Sequence, residues 1–385
     1  MQRRNFIHMA AAAGLAGTLS CSSEKTPEKA EQVPAPKAVP PDPKAIHARI
    51  LTLDSHDDIQ EEFIEQGLDL GSRIEKRQVD LVKMEEGGLD AVFFAVWTPQ
   101  EELAPAAYDR AHKKALRCFD AIRTMCEKTN ADRIELALSP DDVVRIGKSG
   151  KKAAMIGVEN GYPLGEDIGR VSEFYDLGAR YITLTHMGLN QLGDSSNDHK
   201  NIPARKYGGL TDFGKAVILE MNRLGIIVDV SHVSRDTFYD ALVLSKAPVI
   251  ASHSGCRALC DVHRDLDDYQ LRAIKEKGGV MQLVACKGYV KLPPETADLS
   301  AFVDHIDHAV EVMGIDHVGI GADFDGGGGL PGFMDASECP NVTVELVKRG
   351  YSEEDIGKIW SGNFLRVWRE VERIAGTSNP GRRPS

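Results

Sequence analysis

At six places in the 385-residue chain, an apolar run ends on an imidazole or a carboxylate. The first is His56-Asp57-Asp58, and the others are Glu159, His186, His232, His253 and Asp323. His56 and Asp58 lie two apart, so an extended chain presents them on one side. Burying one such group without a partner costs several kcal/mol. Burying all of them unpaired would exceed the stability of a domain, about 5–15 kcal/mol. A metal site satisfies many such donors at once. Nitrogen and oxygen donors without thiolate suit Zn²⁺, with Mn²⁺ or Co²⁺ as substitutes. Five ligands (His56, Asp58, Glu159, His232 and His253) are too many for one tetrahedral ion. They fit two ions about 3.5–4 Å apart that share a carboxylate and a hydroxide. On this reading His56 and Asp58 hold one ion, His232 and His253 the other, and Glu159 bridges them.

The runs that deliver these residues read as strands near 50–56, 89–97, 153–159, 180–186, 225–232, 247–253, 278–285 and 316–323. Helix-like stretches alternate with them, which predicts repeated βα units and a parallel sheet. Most runs are continuously apolar, as strands covered on both faces are. Eight is the number a closed barrel needs, and barrel active sites form at the carboxyl ends of the strands. The prediction is one α/β domain over residues 46–376, a (β/α)₈ TIM barrel of the metal-dependent hydrolase type. Its last helix is capped by Ser352, carries Glu353, Glu354 and Asp355 in its first turn, and packs Ile356, Trp360, Phe364, Val367 and Val371 as one stripe.

Other features bound the function. Lys and Arg number 46 against 58 Asp and Glu, a net charge of −12, and this excludes a nucleic-acid partner that needs clustered cations. Seven cysteines are too few in this length for a disulfide scaffold, and the pairs Cys118/Cys126 and Cys256/Cys260 stay open. His305 and His308 lie away from the strand ends and read as structural. Gly326–Gly329 lacks the Lys of a phosphate loop and reads as a flexible rim loop. Residues 1–21 pair Arg3-Arg4 with a short apolar stretch, as in a twin-arginine export signal. Thr18-Leu19-Ser20-Cys21 resembles a lipoprotein cleavage box, although its Leu stands one place late. The expectation is export to a bacterial periplasm or cell envelope with a lipid anchor at Cys21, then a Pro/Lys/Glu-rich tether over 22–45 and a flexible tail over 377–385.

With these residues in place, the chain resembles the membrane (renal-type) dipeptidases, peptidase family M19, a zinc peptidase family among the amidohydrolase-like barrels. The resemblance runs from about Ile50 to Ile374. It is carried by Gln78-Val79-Asp80-Leu81, Ile156-Gly157-Val158-Glu159, Tyr181-Ile182-Thr183-Leu184-Thr185-His186 and Val228-Asp229-Val230-Ser231-His232. Ser252-His253-Ser254, Gly321-Ala322-Asp323-Phe324-Asp325-Gly326 and Asn363-Phe364-Leu365-Arg366 complete it. The resemblance implies the same two-zinc ligand set. It also implies that His186 meets the substrate carbonyl, that Arg264 pairs with the free α-carboxylate, and that Asp323 shuttles the proton to the leaving amine. The implied activity is hydrolysis of dipeptides, a D-residue at the carboxyl side included. The alternative is an N-acyl amino acid deacylase on the same site, and a non-catalytic envelope binding protein is the competitor from another class. The implied partner is a dipeptide; membrane contact comes only through Cys21, and a homodimer stays open. Three positions depart from the family pattern: Ile59-Gln60-Glu61 lacks an aromatic, Trp97 replaces Tyr, and Asp265 replaces Asn beside Arg264.

Overall fold

The computed structural model describes residues 42–59 and 69–378. The expected export signal, Cys21, most of the tether, Gln60-Glu61 and the end of the tail lie outside the described residues. The fold begins earlier than residue 46, with a short helix Pro43–His47 capped by Asp42 and anchored by buried Ile46.

Among the described residues, nine strands form one parallel sheet: β1 (Leu53–Asp58), β2 (Ala91–Trp97), β3 (Ile134–Leu136), β4 (Lys152–Glu159), β5 (Ala179–Thr183), β6 (Ile227–Asp229), β7 (Val249–Ser254), β8 (Val280–Leu283) and β9 (Val318–Ile320). The order is β1-β2-β4-β5-β6-β7-β8-β9, with β3 paired to the start of β4. Asp58 N donates to Phe324 O at 2.9 Å and Asp323 N to His56 O at 3.0 Å, so the end of β1 meets the residues after β9 and the barrel closes. The eight expected strands are present. β3 is additional, a three-residue strand with a polar centre at Glu135 that no apolar run announces.

Alternation sorts the strand residues into two layers. Ala91 and Phe93 of β2, Ala153 and Met155 of β4, and Tyr181 of β5 pack together inside the barrel, where Phe364 and Trp368 close the end opposite the strand termini. Val92, Phe94 and Val96, with Ile156 and Val158, face the outer helices. Ser139, Thr211, Ser234, Asp267, Asp298 and Ser352 each cap a helix with a side-chain acceptor, each cap contributing about 1 kcal/mol. The expected last helix is broken into Glu353–Gly357, a π-turn Lys358–Gly362 and Asn363–Ser378. All five stripe residues are nonetheless buried. No described helix is long and apolar enough to cross a membrane.

Candidate metal centre

Inside the barrel mouth, the sequence-predicted donors converge on one carboxylate. Glu159, the last residue of β4, sends Oε2 to within 3.5 Å of His56 Nε2. Its Oε1 lies 3.2 Å from His232 Nε2, 3.4 Å from His253 Nε2 and 3.7 Å from His186 Nε2. Asp58 Oδ1 stands 3.6 Å from His56 Nε2. In the groups His56-Glu159-His253 and Glu159-His186-His232, the donor atoms all lie within 4.8 Å of one another. His186 therefore joins the cluster more closely than a purely substrate-facing role requires.

The local backbone explains how the donors turn inward. Leu53 and Ala91 face the interior together, yet β1 gains one residue against β2 between Asp54 and Asp57. Such a bulge reverses the facing of the strand residues beyond it, and it brings His56 and Asp58 into the mouth. His186, His232 and Asp323 do not end their strands as expected. β5, β6 and β9 stop at Thr183, Asp229 and Ile320, three residues earlier in each case. His232 and Asp323 sit in loops with φ of 65° and 63°, a conformation non-glycine residues rarely adopt.

A second set of residues orients the imidazoles. The Tyr181 hydroxyl donates to Ser55 O at 3.1 Å and so accepts from His56 Nδ1 at 2.7 Å. Ser252 Oγ donates to Asp229 Oδ2 at 2.6 Å and accepts from His253 Nδ1 at 2.9 Å. Both rings therefore donate through Nδ1 and turn Nε2 toward Glu159, the orientation a metal ligand needs. Burial works to lower the pKa of His56, but Tyr181 and Glu159 outweigh it and raise it well above the usual value. Sequence reasoning missed Tyr181, Ser252 and Asp229 in this role. Gly157 is tied to it: a Cβ there would fall 2.0 Å from Tyr181 Cζ.

The charge state suits cation binding. Burial lowers the pKa of His232 and His253 well below the usual value, with Arg264 adding to it, and both are neutral donors. Burial works to raise Glu159, but the surrounding imidazoles outweigh it and keep the carboxylate ionised. Burial, then Glu159, raises Asp58 to about 6. His56 Nε2 and Asp58 Oδ1 are buried without a hydrogen-bond partner. Orphaned donors around an ionised carboxylate are costly by themselves and fit one or two divalent ions.

A cavity of about 570 Å³ opens above the cluster. Asp58, Trp97, Glu159, His186, His232, Tyr289 and Asp323 line it, together with Cys286, Gly326 and Gly327. Burial raises the Asp323 carboxyl well above the usual range, with Asp58 and Glu159 adding to it against His56. Trp97 meets His186 edge-on, ring centroids 6.0 Å apart. Arg264, by contrast, does not line the cavity. It is buried behind Tyr289, 5.6 Å from that ring, and donates to Ser254 Oγ at 2.6 Å and to the carbonyl of His253. The glycine run is not loose, since Gly326, Gly327 and Gly328 donate to Asp323 O and Gly329 to Ala285 O. His305 is buried between Cys256 N and Val290 O, and His308 pairs with Asp268, both structural. Cys118, Cys126, Cys256 and Cys260 are thiols rather than disulfides.

A closed parallel barrel with imidazoles and carboxylates at its carboxyl-terminal mouth places the chain among the metal-dependent hydrolase barrels. The family model for "Membrane dipeptidase (Peptidase family M19)" matches residues 42–380, and the chain belongs to that family. It is 36% identical over 304 residues to dipeptidase tcpJ of Claviceps purpurea, covering 78% of this chain and 70% of that one. It is 34% identical over 329 residues to dipeptidase 3 of Mus musculus, covering 84% of this chain but 64% of the mouse protein. The crystal structure of the probable dipeptidase PvdM from Pseudomonas aeruginosa superposes with a TM-score of 0.82 at 32% identity, over 86% of this chain and 98% of that one.

Proposed function

We propose that the protein is a two-zinc dipeptidase, exported and lipid-anchored at Cys21. His56, Asp58 and Glu159 would hold one ion, and Glu159, His232 and His253 the other. The observation that carries this is the division of Glu159, with Oε2 turned to His56 and Oε1 to His232 and His253. When bound, such a pair of cations supplies an acidified water and Lewis acidity toward a carbonyl. His186, on the cavity wall, orients the scissile carbonyl and meets the charge that grows on its oxygen. Asp323 accepts the proton of the attacking water at its carboxylate and returns it to the leaving amine nitrogen. Arg264, a fixed cation behind Tyr289, draws the substrate's α-carboxylate toward that wall. Trp97 bounds the amino-terminal end. The cavity volume is within the range for a small ligand, about 300–1,000 Å³, and suits a dipeptide.

The relatives named dipeptidases support this reading over deacylation of N-acyl amino acids. The deciding experiment is metal analysis of the purified chain together with a substrate panel. The panel holds L-Xaa-L-Xaa and L-Xaa-D-Xaa dipeptides beside N-acetyl amino acids. Two zinc ions per chain and release of free amino acids from dipeptides are expected. Turnover of the N-acetyl compounds alone would establish the deacylase instead.

A further inference from the structure

We propose that Arg77, Gln78 and Asp325 form a positioning bracket that sets Asp323 relative to Asp58, and that turnover depends on it. The bracket rests on the proposed function, in which Asp58 holds metal and Asp323 moves the proton. These two acids come from opposite ends of the chain. Asp58 ends β1, and Asp323 lies in the loop after β9.

That loop is conformationally demanding. Asp323 and Asp325 have φ of 63° and 61°, both left-handed, two residues apart. Such residues persist where the surroundings over-determine them; backbone bonds join Asp323 and Phe324 to the end of β1, and residues 77–79 hold Asp325. Asp325 accepts from Gln78 N at 2.8 Å and from Val79 N at 3.2 Å. Its own N–H donates to Gln78 Oε1 at 2.7 Å. Gln78 Nε2 donates onward to Gly328 O at 3.0 Å and Met334 O at 2.6 Å, so one side chain straps both sides of the loop. Arg77 Nη2 lies 2.8 Å from Asp325 Oδ2 and also donates to Asp58 O at 2.9 Å. A single guanidinium nitrogen thus joins the Asp323 loop to the strand end that carries the metal ligand.

The pair is deeply buried, the Arg77 side chain 4% exposed and that of Asp325 2%. A buried ion pair adds little net stability over apolar side chains of similar size. What this one supplies is registry between two loops that must act on the same substrate bond. Asp325 lines the cavity beside Asp323 and Gly326, whereas Arg77 does not and reaches it only through Asp325.

The test uses full-length, zinc-loaded protein and one dipeptide that the wild type hydrolyses. Arg77→Met should lower kcat roughly 10²-fold, the cost of misplacing a reacting group by about 1 Å. KM should stay within about threefold, as for an interaction made in the transition state, with both zinc ions retained. In an Asp323→Asn background the same substitution should lower kcat no further, because groups acting as a unit are not additive. Arg77→Lys should recover part of the loss, since an ammonium keeps the charge and has N–H groups for both acceptors but sits on a shorter side chain. Unchanged kcat in Arg77→Met, or losses that multiply in the double variant, overturn the bracket alone. Wild-type kcat in Asp323→Asn overturns the proton role of Asp323 and the bracket with it. Should Arg77→Met not fold, Gln78→Ala carries the same comparison with the same expected non-additivity.

Discussion

Replacing Tyr181 with phenylalanine removes one buried oxygen and should loosen one half of the metal centre. The ring would stay, packed 5.1 Å from Phe93, so no large cavity opens. What disappears is the acceptor of His56 Nδ1 and the donor to Ser55 O. Leaving a buried polar group unpaired costs about 1–3 kcal/mol. Loss of the partner that holds a ligating imidazole costs about 10–100-fold in metal affinity, or about 1.4–2.8 kcal/mol. The two figures agree because they describe the same hydrogen bond. Zinc competition against a chromophoric chelator resolves the sites. The ion held by His56 and Asp58 should weaken about 10–100-fold, while the one held by His232 and His253 changes little. Ser252→Ala should show the mirror image, since Ser252 accepts from His253. Equal losses at both sites in either variant, or none in Tyr181→Phe, would refute both the fixed ring orientations and the division of ligands.

Glu159→Gln should remove both ions at once, because both donor groups face its two oxygens. Zinc content after dialysis should fall from two toward none, with kcat/KM down by more than about 10³-fold; one retained ion would contradict the bridge. Burial raises the Asp265 carboxyl to about 8, against about 4 in an unfolded chain. Its protonated form is thus favoured by folding, and the stability it contributes is present below about pH 4 and lost as pH rises through about 8. Asp265→Asn, neutral throughout, should therefore lose less melting temperature than wild type between about pH 4 and 8, and parallel profiles would exclude the burial of a protonated acid. Labelled palmitate should enter the membrane-associated protein and be absent in Cys21→Ser; labelling of the variant would place any anchor elsewhere.

The donor cluster was legible in the sequence because its residue types are costly to bury, so an imidazole or carboxylate closing an apolar run signals a reason for being there. Of the residues that aim them, Tyr181 and Ser252 carry no such signal, whereas Asp229 is itself a carboxylate in the apolar run 225–232 and was passed over for His232 at its end. Tyr181, Ser252 and Asp229 sit in or beside strands of ordinary composition, and each acts through the barrel order that sets β5 across from β1 and β6 beside β7. The bulge in β1 was equally silent. The two-residue spacing of His56 and Asp58 correctly placed them on one side, but which side depends on the extra residue between Asp54 and Asp57. Strand ends misled for a related reason. His186, His232 and Asp323 continue apolar runs in the sequence, yet pairing stops three residues earlier because the barrel mouth widens into loops. That early stop has a chemical use. A residue fixed in a strand can point inward or outward and nothing else, whereas a loop residue at φ near 65° can be turned toward a common centre. The left-handed backbone at His232 and Asp323 is therefore best understood as the means by which two loops bring the proposed ligand and the proposed proton carrier onto the same carboxylate-centred site.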